Sequence, residues 1–140
     1  MFTCSVKLRK RWLVIGAAGL IGLVVLLLLA QTRLSRQIDF VGGEEYLAVN
    51  GLSGELISED EVLIPEEFSP IYEEYNQMQK TQGFDLSDYA GKTCQRYTYR
   101  LTGTPEEVHA VFLVYHGTLI GGDLHEQRYG GWIQPLQGNL

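Results

Sequence analysis

The stretch from Trp12 to Ala30 runs for 19 residues without a charge and consists mainly of Leu, Val, Ile, Ala and Gly. As a helix at ~1.5 Å per residue it is about 28 Å long, close to the ~30 Å hydrocarbon core of a bilayer. What remains of a 140-residue chain is too small to wrap such a helix on every side. The stretch therefore predicts a transmembrane helix at residues 12–30, with the lipid bilayer as its partner. Its apolar run is longer than that of a secretory signal and ends Leu28-Leu29-Ala30-Gln31, with a bulky Leu where a cleavage site wants a small residue. An uncleaved anchor is expected.

Charge gives the orientation. Lys7, Arg9, Lys10 and Arg11 crowd the N-terminal flank, against Arg33 and Arg36 beyond the apolar run. The positive-inside rule then keeps a basic tail, residues 1–11, in the cytoplasm and exports the chain beyond the membrane segment. From Gln37 onward, five basic residues face all 17 acids, a net of −12, whereas the first 36 residues carry +6. So acidic a domain repels nucleic acid, which is excluded as a partner. Ala18 and Gly22 make a small-xxx-small pair through which two such helices could pack. Cys94 is the only cysteine in the exported part, so no disulfide forms within it.

Residues 31–43 read as a polar, glycine-containing stalk, and residues 44–140 as the extracytoplasmic domain. Within it, Glu44 to Asn50 suits a short helix stopped by Gly51. Glu55-Leu56-Ile57 and Val62-Leu63-Ile64 read as two strand pieces. Ser69 is a natural N-cap and Pro70 fits the first helical position; Ile71, Tyr75, Met78 and Gln82, with Tyr72, then recur at helical spacing as the expected buried stripe, up to Gly83. Thr93 to Leu101 alternates, setting Tyr97, Tyr99 and Leu101 opposite Cys94, Arg96, Thr98 and Arg100. Val108 to Tyr115 is nearly all apolar, as a central strand is, and His116-Gly117 reads as a hairpin turn into Thr118 to Leu124. The predicted class is α+β, a helix packed on an antiparallel sheet.

Several motifs in this stretch resemble a known family. They are Ile64-Pro65-Glu66-Glu67-Phe68, Tyr72-x-x-Tyr75-Asn76-x-x-Gln79 and Gly83-Phe84-Asp85-Leu86-Ser87-x-Tyr89-x-Gly91-Lys92. Arg96-Tyr97-Thr98-Tyr99 and Leu113-Val114-Tyr115-x-Gly117-x-x-Ile120-Gly121-Gly122-Asp123 belong with them. Together they resemble the uncharacterised bacterial family catalogued as domain of unknown function 4830, over about residues 62–136. The resemblance implies a membrane-tethered envelope protein of clostridial-type bacteria. It implies no activity, so no catalytic residues are carried over.

Chemistry-bearing residues are sparse. There is no HExxH, no Walker or dinucleotide fingerprint and no nucleophile elbow, and neither a catalytic set nor a cofactor is expected. The one constellation is Gly121-Gly122-Asp123-Leu124-His125-Glu126. If this run is extended, Asp123 and His125 project from one face and could supply two ligands to a divalent ion, with Glu126 or His116 completing the set. His109 and His116 read otherwise as surface residues. A non-catalytic interaction module with an envelope protein partner is the leading expectation, and a metal-dependent envelope enzyme or accessory using Asp123 and His125 is the alternative.

Overall fold

An apolar run with no polar alternation can be a strand only if both of its faces are covered, and Val108–Tyr115 meets that condition: seven of its eight residues are buried. It is the middle strand of the sheet in a computed structural model, which describes residues 38–137. In chain order the elements are β1 (Ile38–Asp39), α1 (Gly43–Val49), β2 (Gly54–Leu63) and α2 (Pro70–Thr81). A 3₁₀ turn (Leu86–Tyr89), β3 (Thr93–Leu101), β4 (Val108–Tyr115), β5 (Thr118–Glu126) and β6 (Ile133–Pro135) come after them. The sheet is antiparallel, in the order β1-β5-β4-β3-β2, with β6 also on β5.

The α+β class holds, with two helices, but the covering is two-sided. On one face α1 brings Leu47 and Tyr46, and the preceding chain brings Phe40, onto Tyr97, Tyr99, Ala110, Phe112 and Val114. On the other, α2 and the 3₁₀ turn bring Tyr72, Tyr75, Leu86 and Tyr89 onto Cys94, Val111, Leu113 and Ile120. Residues 38–40, read from sequence as the end of a stalk, belong to this unit: Ile38 pairs with Leu119, and Phe40 stacks 5.3 Å from Tyr97. A two-residue strand carries no periodicity, so sequence could not distinguish it from linker.

Two further expectations change. The apolar pieces around Leu56 and Val62 form one ten-residue strand, whose register shifts between Leu56 and Ser58. Ile57 is the extra residue of a bulge, and this offset breaks the alternation that would have joined the two pieces. Helix α2 has the expected Ser69 cap, whose Oγ accepts from the Tyr72 N–H at 3.3 Å. Its expected stripe is rotated, however: Ile71 is 80% exposed, while Asn76 and Gln79 are fully buried. The amides are buried because each finds backbone partners. Asn76 Oδ1 accepts from the Leu86 N–H at 2.8 Å. Gln79 grips Gly122 with both ends of its amide, accepting from the N–H at 2.9 Å and donating to the carbonyl at 3.0 Å.

That grip falls on the outer edge of β5, between the stretches that β1 and β6 occupy. Gly121 leaves room for the amide, since a Cβ there would come 3.1 Å from Gln79 Oε1; on the other face a Cβ at Gly122 would lie 2.3 Å from the Val111 carbonyl oxygen. The β4–β5 hairpin turns through His116 and Gly117, both at positive φ (48° and 80°), the backbone a two-residue turn of matching twist requires. Residues 12–30, with Ala18 and Gly22, lie outside the described residues, as does the basic tail. Among the described residues no helix is long and apolar enough to cross a membrane.

Candidate functional site

On the α2 side, the helix covers only part of the sheet. The rest forms an open groove of about 610 Å³ between Val62 and Leu63 of β2, the rings of Tyr72 and Tyr75, and Ile133 of β6. Strand register lays down its floor. His109 and His125 face each other across β4 and β5, Thr98 is opposite Val111 and Val111 opposite Asp123, and Asp60 is opposite Arg96.

Asp123 is 4% exposed and both of its oxygens are taken. The Tyr75 hydroxyl donates to Oδ2 at 2.7 Å, and Oδ1 lies 2.7 Å from His125 Nδ1. Burial first, then the Asp123 charge and hydrogen bond, push the Tyr75 phenol far above its ordinary value, so it stays a donor. The carboxylate oxygen accepts, so His125 turns its Nδ1–H towards Asp123. Beside it, the His109 ring lies edge-on at 5.6 Å. Both His109 nitrogens are engaged, Nε2 with Glu107 Oε1 and Nδ1 with Gln127 Nε2, each at 3.2 Å. Arg96 reaches back to Asp60 through Nε at 3.0 Å and through a second, shorter bond from Nη2. That hydrogen bond holds the Asp60 carboxyl below its usual range and the Arg96 guanidinium above its own.

The structure thus brings Asp123 and His125 together, as their two-residue spacing on a strand requires. Glu126 is on the opposite face, where its Oε1 takes Arg128 Nε at 2.7 Å, and His116 sits in the turn at the far end of the hairpin. As metal ligands, Asp123 and His125 spend the paired atoms on each other, and among the described residues no group of three or more His, Cys, Asp or Glu is placed to hold a metal ion. His109, read from sequence as a surface residue, is 5% exposed. Its position opening a buried strand was the available signal. Sequence reasoning misses Tyr75, Thr98 and Arg96 as site residues, because what joins them to Asp123 is strand order, which no local pattern carries. Cys94 is buried beneath α2, and burial pushes its thiol up, away from the reactive range.

No curated protein and no solved structure matches this chain. A family model described as Domain of unknown function (DUF4830) matches residues 54–124. The matched stretch runs from the first residue of β2 to Leu124 of β5, and so contains Tyr75, Arg96, His109 and Asp123. With half of its length matched, and with the motifs around Tyr72, Gly83 and Gly117 inside that half, the chain belongs to the DUF4830 family.

Proposed function

We propose that this chain is a membrane-anchored, extracytoplasmic binding module that works through the groove beside α2. The tether rests on the uncharged stretch at residues 12–30 and its basic N-terminal flank. The observation that carries the binding role is the floor of the groove. There Asp123 and His109 are buried and held by hydrogen bonds, Arg96 and His125 stay partly exposed on their strands, and apolar Leu63 and Ile133 at the rim are 63% and 54% exposed. A binding role fits better than catalysis. The exported domain's thiol is buried under a helix, and Asp123 is already committed to Tyr75 and His125.

Photo-crosslinking in cells tests this on the full-length chain. The crosslinkable residue is placed at Leu63 or Ile133 on the rim, or at the exposed Glu73 of α2 as a control, with residues 12–30 native or exchanged for another anchor. Adducts formed from the rim positions and retained after the exchange support the module. Equal adducts from Glu73, or none from the rim, would remove the groove from the argument. Adducts lost with the exchange would move the function to the membrane segment.

A further inference from the structure

We propose, building on the binding-module reading, that the groove takes a neutral, hydroxyl-rich ligand of the oligosaccharide class. Charge is the first consideration. The groove's guanidinium, Arg96, is neutralised by the two-pronged bond to Asp60, and its buried carboxylate, Asp123, is satisfied by Tyr75 and His125. A cation finds no open carboxylate on this floor. An anion finds no unpaired guanidinium, and it must also approach a domain whose net charge from residue 37 onward is −12.

What the groove does offer is a mixture. The His125 ring nitrogen Nε2 offers a hydrogen bond, the Gln127 amide and Thr98 hydroxyl both donate and accept, and the Tyr72 ring forms an apolar wall. Tyr72 is held in place by Phe68, edge-on at 4.7 Å. A sugar hydroxyl donates and accepts at one atom, and a sugar ring has C–H faces that pack on an aromatic, so the two inventories match.

An extended peptide matches less well. Peptides gain affinity by adding to a sheet edge, where backbone meets backbone, and the edge strand β2 contributes only Val62 and Leu63 at one side of the groove. The floor lies on the faces of β3, β4 and β5, whose backbone groups there pair with one another. A peptide lying there would have to satisfy each of its own N–H and C=O groups with scattered side chains.

The test titrates detergent-solubilised full-length protein with two linear uncharged hexasaccharides, one N-acetylated and one not, and with poly-glutamate and poly-lysine as charged comparators. The expected result is saturable binding of at least one hexasaccharide, unchanged between about 0.05 and about 0.5 M salt because no net charge is neutralised. Thr98→Val keeps the shape of the side chain, and His125→Gln keeps polar groups on the strand; each should weaken binding about tenfold, the effect of one lost hydrogen bond, without shifting thermal unfolding in proportion. Preferential, salt-sensitive binding of either polymer overturns the oligosaccharide assignment. Failure of both sugars while the rim still crosslinks to protein in cells also overturns it, and leaves the binding module standing. Failure of both sugars with no rim adduct ends both proposals.

Discussion

Asp85 accepts from the Ser87 N–H at 3.0 Å, the Ser87 hydroxyl at 2.6 Å and Asn76 Nδ2 at 3.0 Å, with Lys80 Nζ 3.5 Å away. Burial works to raise its pKa, but the bonds from Ser87 and Asn76 and the Lys80 charge outweigh it, and the carboxyl ends below its ordinary value. A folded-state pKa below the unfolded one contributes stability that is present above about pH 4 and lost as pH falls through the lower folded value. Asp85→Asn should therefore cost about 1 kcal/mol near neutral pH and flatten the acid limb of stability below about pH 4, measured by urea unfolding across pH. An unchanged acid limb would mean another carboxylate governs it. Asp85 was legible only as part of a turn, since its partners lie both before and after it. Asp123 and His125 were legible as a pair because a strand's period of two puts them on one side. The Tyr75 that completes them comes 48 positions earlier.

Helix α2 shows why boundaries are easier to read than faces. Ser69 and Pro70 mark its start by local chemistry. Which side is buried depends on what the helix meets, and here it meets backbone at the β5 edge. Gln79 behaves there as a single residue of a neighbouring strand. Gln82 assists, donating to the Gly122 carbonyl at 3.0 Å and accepting from the Leu136 N–H at 2.8 Å. A hydropathy pattern scores polar amides as solvent-facing, and so favours a stripe through Ile71 instead. Gln79→Glu gives a sharp test. An ionised Glu can accept from the Gly122 N–H but sets a second oxygen against the Gly122 carbonyl, a cost of about 1–3 kcal/mol. Protonation turns that oxygen into a donor, so folding raises the pKa of the new side chain, and the loss should diminish as pH falls towards the Glu range. Gln79→Ala has no proton to gain and serves as the reference at each pH. Parallel losses for the two variants across pH would show that the Gly122 carbonyl is not the group being opposed.

For the molecule as a whole, the meander β3–β4–β5 was legible because its strands are neighbours in sequence and joined by recognisable turns. The flanking strands, two and three residues long, were not. The proposed topology predicts a simple labelling pattern in intact cells. A membrane-impermeant maleimide should leave the native chain unlabelled, with Cys4 on the cytoplasmic side and Cys94 buried, while Glu106→Cys in the exposed β3–β4 loop reacts readily. Labelling of Glu106→Cys only after the cells are opened would reverse the orientation.

The position of β5 in the chain also bears on when folding can happen. This strand receives β4 on one side and β1, β6 and the Gln79 amide on the other, and Leu136, just beyond β6, is in the core. All of its partners except β6 are synthesised before it. Until about residue 136 has emerged, α1, α2 and β2 have no completed sheet to settle on, and the pairings that would hold them are of long sequence separation. The sheet is thus completed late in synthesis, once β5 and the segment through Leu136 are available.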